Sequence, residues 1–345
     1  MKSYKLQCEI LSPVHIGNGQ EIDPLSYIIK EENLYYISFD DFVLNMEAVS
    51  RCRFEELLEK NDLTGMRSFV ADTIDLEKET IYSTSVDYKV AGIYKSKIRD
   101  IRNQLRINPF IRTGDQKRPL IPGSSIKGAI RTALISELAQ NSNLPRPKGI
   151  KEEYQFESKV LRYQDGKEDP LRGIKIRDAQ LEKHDTIVRD VKNVSRDSGR
   201  TLKSNNIQIF CEMTHSTISG KSTGFESTLN IDNSLYQTKY LKKTFTTDDI
   251  IRSCAKFYKD KMTEEHNRFY RGSDLENYSK MLMETPLDNK SFLLRVGRFS
   301  GVESVTLDKY RNPKPPGKKN TWGTTRNLAD GQYPMGWIKG TFLEN

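Results

Sequence analysis

The sequence predicts an α+β protein in which an antiparallel sheet is backed by helices. Three observations carry this reading. Tyr4 to Leu11 alternates, with Tyr4, Leu6, Cys8 and Ile10 on one face and Lys5, Gln7 and Glu9 on the other, the pattern of a half-buried strand. Strand-like runs recur along the chain as far as Tyr333 to Phe342, giving two strand-rich portions. Between them, residues 123–138 and 246–262 carry apolar side chains at helical spacing. With 345 residues, 36% of them hydrophobic and 30% charged, the chain can bury one large core or two smaller ones.

Taken in order, the first strand ends in Ser12-Pro13-Val14-His15-Ile16-Gly17-Asn18-Gly19, a loop whose two glycines let backbone approach a ligand closely. Ser26 to Ile29 and Leu34 to Phe39 read as paired strands around the polar turn Lys30-Glu31-Glu32-Asn33. A helical insert is expected over about residues 40–80, opening at Asp40 and Asp41. Tyr94, Ile98, Ile101 and Leu105 then form one face of a basic helix. Residues 107–112 return as a strand. Asn141 to Tyr163, with Pro145, Pro147 and Gly149, reads as a loop insertion within 139–168. Strands resume around Ile174, and residues 207–213 and 225–231 read as a hairpin around Gly220 and Gly224. Thr246 or Thr247 caps a helix that buries Ile251, Cys254, Ala255, Tyr258 and Met262. These elements divide into an N-terminal portion, 1–235, and a C-terminal helix and strand portion, 236–345.

The most informative stretch runs from Arg118 to Leu138. Leu120 and Ile121 form a short strand, Pro122 and Gly123 stop it, and Ser124 or Ser125 can cap the helix that follows. Ile126, Ala129, Ile130, Ala133, Leu134 and Leu138 make its apolar face. Lys127 and Arg131 place two cations in the first turns, where the positive end of the macrodipole disfavours them. An anion docked on the amides of Gly123 to Ile126 would remove that conflict. The order Lys127-Gly128-Ala129 lacks the Lys-Ser/Thr of a nucleotide triphosphatase loop.

Charge points the same way. The net charge is +8, and Gly92 to Leu134 alone contributes +8 while Arg295 to Arg326 contributes +6, so the remainder nets −6. Two basic blocks on a slightly acidic body fit a polyanionic partner. Near the C-terminus, Trp322 and Arg326 have the chemistry to stack a base and grip a phosphate, although tryptophan beside glycine equally suits a core anchor. Cys8, Cys52, Cys211 and Cys254 are widely spaced, without a His at zinc spacing, so reduced core residues are expected and no metal or cofactor. Nothing resembles a signal peptide or a membrane span, which makes the cytoplasm the default location.

Several of these motifs have a known counterpart. Pro122-Gly123-Ser124-Ser125-Ile126-Lys127-Gly128-Ala129-Ile130-Arg131 resembles the glycine-serine helix start of the RAMP superfamily, the RNA-binding subunits of CRISPR effector complexes. His15-Ile16-Gly17-Asn18-Gly19 resembles the turn that follows their first strand. Arg177-Asp178-Ala179 is similar to a strand ending in these proteins, and Gly297-Arg298-Phe299-Ser300-Gly301 to their C-terminal glycine-containing loop. The resemblance implies a ferredoxin-like, RNA-recognition-type sheet with helical and loop insertions. By length and motif order it is nearest the single-copy type III-A (Csm) subunit that caps the backbone filament at the 3′ end of the guide RNA. It implies a binding protein, with His15, Gly17, Gly19, Gly123, Ser124, Ser125, Lys127, Arg131, Arg298, Trp322 and Arg326 as RNA-contacting residues. Implied partners are the CRISPR guide RNA, target RNA, a backbone RAMP subunit and host nucleases that trim the guide. The alternative is an endoribonuclease using His15 or Asp23. A lone loop histidine is more often a hydrogen-bonding or stacking residue, and Asp23-Pro24 more often a turn.

Overall fold

Strand β1 (Lys2–Ile10) has the expected alternation: Leu6, Cys8 and Ile10 are buried while Lys5 and Gln7 face solvent. The computed structural model describes residues 1–345 except 149, 197–201, 205–206, 239, 308–309, 311–322 and 344–345. Four further strands complete the main sheet: β2 (Ile174–Ile176), β3 (Gly224–Ile231), β4 (Ser291–Arg295) and β5 (Trp337–Leu343). Their spatial order is β4-β5-β1-β3-β2, and every neighbouring pair is antiparallel. Helices α1 (Gly123–Gln140) and α3 (Thr247–Glu265) pack on each other and on this sheet, and α2 (Ile150–Leu161) packs on α1. The chain order β1-α1-β2-β3-α3-β5 is the ferredoxin-like βαββαβ arrangement, with β4 added at the edge beyond β5.

Both principal helices form for legible reasons. Helix α1 buries Ile126, Ala129, Ile130, Ala133 and Leu134 in the main core. Helix α3 starts in a capping box, where Thr246 and Asp249 satisfy each other's amides, and it buries Cys254, Tyr258 and Met262.

A second sheet is built from insertions into this frame. Its long strand Thr186–Arg196 pairs antiparallel with Phe210–Thr214 and Thr325–Ala329, and parallel with Thr80–Val86. Beyond Thr80–Val86 lie Asn33–Ile37 and the hairpin strand Tyr27–Lys30. Glu31 and Glu32, at φ 50 and 60, make the tight turn between those two. The helical insert falls at Phe39–Leu44, Ala48–Glu59, Leu63–Thr73 and Leu76–Glu79, around a separate core that includes Phe42, Phe54 and Phe69.

Five expectations need correction. The loop expected over 139–168 contains α2, which buries Phe156, Val160 and Leu161. The basic helix stops at Lys97; Ile101 is 63% exposed, and Leu105 is buried in a left-handed turn at φ 52. Phe210–Thr214 and β3 do not form a hairpin, because the chain between them crosses from the second sheet to the main one. The boundary at residue 235 divides no sheet from another: β1 pairs with β5, and Val191 to Ser195 pair with Thr325 to Ala329. Cys8, Cys211 and Cys254 are core residues, but Cys52 is exposed. Among the described residues, no helix is long and apolar enough to cross a membrane.

Candidate nucleic-acid interface

Three glycine-bearing segments, far apart in sequence, meet at one end of the main sheet. They are the loop after β1, the start of α1 and the turn after β4, and between them lies an open cleft of about 990 Å³. Two of them touch intimately. The amide of Arg298 donates to the His15 carbonyl at 2.8 Å, and a Cβ on Gly297, at φ 83, would lie 2.5 Å from that same oxygen. Only glycine tolerates that approach.

His15 is 1% exposed and sits between two rings, edge to Phe110 and stacked on Phe299, each at 6.4 Å. Its Nδ1 lies 2.6 Å from the Glu212 carbonyl, so that nitrogen carries the proton. Burial lowers its pKa; the carbonyl bond resists this, and nearby Arg298 adds to it. The ring is therefore neutral at pH 7. Gly17 and Gly19 follow on the exposed lip of the cleft, Gly19 at φ 84.

The opposite wall is α1, which presents Ser124, Ser125, Gly128 and Thr132. Its first turn differs from expectation. Pro122 stands at the cap, and the Gly123 amide donates to the Asp178 carboxylate at 2.7 Å. The dipole already meets an anion, supplied by the chain itself. Gly123 is compulsory here, since a Cβ would lie 2.2 Å from the Ile176 carbonyl oxygen. The Ser125 amide donates back to Pro122 at 2.9 Å.

The two cations of α1 do not line the cleft. Arg131 is held by Asp169 at 2.8 Å, Glu157 at 3.0 Å and the Tyr163 hydroxyl at 3.3 Å. Burial opposes its charge, but Asp169 and Glu157 outweigh that and raise its pKa. Burial lowers the Lys127 pKa; Asp169 resists this, while Arg131 and Lys175 reinforce it. For Arg131 the electrostatic conflict is thus settled within the chain, by acids on α2 and the segment after it, whereas the charge of Lys127 stays disfavoured by its burial.

Arg298 is the expected cation that does reach the cleft. Its guanidinium donates to Asn108 Oδ1 at 2.7 Å and lies 4.9 Å from the Phe299 ring. Arg326 is instead 5% exposed, bonded to Glu265 at 3.1 Å and Glu303 at 3.2 Å, and lies 4.1 Å over Phe269. It is a core brace rather than a surface contact. Trp322 lies outside the described residues. Asp23 Oδ1 accepts the Leu25 amide at 3.0 Å, the turn geometry expected of Asp-Pro. Sequence reasoning missed Asp178, Asn108 and Thr132; for Asp178 the signal was present in Arg177-Asp178-Ala179. Among the described residues, no cluster of His, Cys, Asp and Glu is arranged to hold a metal ion.

Backbone amides at glycines, small hydroxyls and one anchored guanidinium make a surface that a phosphodiester strand can approach closely. The class defined by fold and site is a ferredoxin-like protein with glycine loops gathered at one end of its sheet. The chain belongs to the RAMP superfamily, whose model matches residues 7–278. It is 29% identical over 148 residues to the CRISPR system protein Csm5 of Methanocaldococcus jannaschii, covering 41% of this chain and 32% of that protein. It is 26% identical over 156 residues to Csm5 of Streptococcus thermophilus, covering 41% of this chain and 40% of that protein. The matched stretch therefore spans less than half the length of either relative. Among solved structures it resembles a chain of a type III-A Csm–crRNA–target RNA ternary complex, with TM-score 0.71 and 19% identity over 99% of this chain and 100% of that one. It also resembles the crystal structure of T. onnurineus Csm5, with TM-score 0.61 and 19% identity over 96% and 99% of the two chains. At such identity the structural likeness is one of fold.

Proposed function

We propose that this protein is a guide-RNA-binding subunit of a type III-A (Csm) interference complex in the cytoplasm, capping the backbone filament at the 3′ end of the guide. The observation that carries the reading is the convergence of the His15–Gly19 loop, the Ser124–Ser125 helix start and the Gly297–Gly301 turn on one open cleft with Arg298 on its wall. Support for the assembly comes from relatives and fold neighbours that are Csm proteins, one of them in a complex with crRNA and target RNA. Guide and target RNA, a backbone RAMP subunit and trimming nucleases are the partners this reading assigns.

Within the cleft, glycine backbone and the hydroxyls of Ser124, Ser125 and Thr132 contact the strand, and Arg298 supplies charge to a phosphate. The reading assigns no cleavage. His15 is committed to the Glu212 carbonyl through Nδ1 and shielded by two rings, and Asp23 to its own turn. The test is binding of single-stranded RNA to the full chain over a series of salt concentrations. Arg298→Glu should weaken binding and reduce the salt slope by about one. An unchanged slope would remove the cleft from the RNA path, and RNA cuts lost in His15→Ala or Asp23→Asn would replace binding with catalysis.

A further inference from the structure

Beyond Arg298 the cleft opens into a second groove of about 340 Å³, which shares Glu21, Asn108 and Arg298 with it. The two spaces have different chemistry. Where the cleft offers glycine and hydroxyl groups, the groove offers the carboxamides of Gln104 and Gln208 and the guanidinium groups of Arg102 and Arg106. Arg102 and Arg106 keep 88% and 51% of their side chains exposed. Arg106 is paired at 3.3 Å with a Glu21 carboxylate that is 47% exposed, a contact that a phosphate can displace.

Gln208 adds an independent observation. Its Nε2 is buried and has no hydrogen-bond partner among the described residues. A buried donor without an acceptor is unfavourable unless a ligand supplies one. Asn108 is different: its amide donates to the Phe210 carbonyl at 3.2 Å and its oxygen accepts from Arg298, so it holds the rim and has little left to offer.

The loop that carries Gln104 and Arg106 is fixed. Leu105, at φ 52 and 2% exposed, donates its amide to Asn103 Oδ1 at 3.2 Å and accepts the Tyr27 hydroxyl on its carbonyl. Anchoring the central residue sets the direction of its neighbours before a ligand arrives, which reduces the ordering cost of binding. Carboxamides that each present a donor and an acceptor, next to cations on a path leaving a phosphate-binding cleft, match the edge of an unpaired base with its phosphate.

We infer that this groove is a base-reading subsite, in which the nucleotide following the one held at Arg298 sets its base edge against Gln104 and Gln208 and its phosphate against Arg106. The inference rests on the cleft being the RNA site. The fixed part of the protein then contributes sequence preference at one position of a strand otherwise gripped through its backbone.

The experiment uses the full chain and short single-stranded RNA probes, each rich in one base, read by fluorescence anisotropy. Wild type should favour one probe by at least about fivefold. The Gln104→Ala/Gln208→Ala variant should bring all probes within about twofold and leave the salt slope unchanged. Arg298→Glu should weaken every probe alike. A wild type without preference, or a double variant that keeps it while Arg298→Glu weakens binding, overturns the subsite and leaves the cleft standing. Loss of effect at Arg298 as well overturns both. Should the double variant misfold by circular dichroism, 4-thiouridine probes crosslinked to wild type decide the matter: attachment to residues 102–106 or 207–209 supports the groove, and attachment confined elsewhere rejects it.

Discussion

Arg298 and Arg131 are both cations beside a glycine-rich segment, but Arg298 lines the cleft while Arg131 is turned to acids of the chain. Arg131 is consumed by Asp169 and Glu157, so Arg131→Ala should cost about 1–2 kcal/mol of stability in chemical denaturation while leaving the salt dependence of RNA binding unchanged. A fallen salt slope would return Arg131 to the interface. Glu265 shows the same logic in the core. Burial pushes its carboxyl up, but Arg295 and Arg326 outweigh burial and hold it below its ordinary value of 4.5. A carboxylate depressed in the folded state stabilises it above about pH 4.5 and loses that contribution as pH falls through the folded value. Glu265→Ala, which takes the carboxylate from Arg295 and leaves Arg326 with Glu303, should cost about 3–5 kcal/mol at pH 7 and flatten the acid limb of the stability curve. An acid limb identical to wild type would show that other carboxylates set it.

Helix α1 is fixed at its start. There Asp178 meets the Gly123 amide, and Gly123 itself lies against the Ile176 carbonyl. Asp178→Ala should cost about 1 kcal/mol. Gly123→Ala, which drives a Cβ into backbone, should cost about 2–3 kcal/mol and shift the serines that face the cleft. Thermal unfolding measures both; a neutral Gly123→Ala would mean the helix start can slide. The apolar face of α1 was legible because periodicity is a local property that burial then enforces. Its capping was not, because the capping group, Asp178, arrives from the link after β2, 55 residues away. In the same way α2 was hidden by flanking prolines, and its buried Phe156 joins the main core, where the Tyr310 ring stacks on it at 4.4 Å.

At the scale of the whole molecule, the main sheet draws its central strand from the first ten residues and its neighbour from the last nine. A fragment of residues 1–235 would leave one edge of β1 unpaired and α1 without the helix packed on it, α3. It should fail to give a cooperative unfolding transition, whereas the full chain should unfold cooperatively, with β5 paired to β1 in the main sheet and Thr325–Ala329 paired to Thr186–Arg196 in the second. A folded fragment would restore the two-part division. By itself the sequence determined the fold class, the pattern of β1, the buried faces of α1 and α3, and the glycine motifs of the family, because each is written in contiguous residues through spacing and backbone freedom. Only the tertiary structure decided which charges were available. Whether a cation lines the open cleft or pairs with an internal acid depends on partners 26 and 38 residues away, as Glu157 and Asp169 are from Arg131, and no local pattern encodes that pairing.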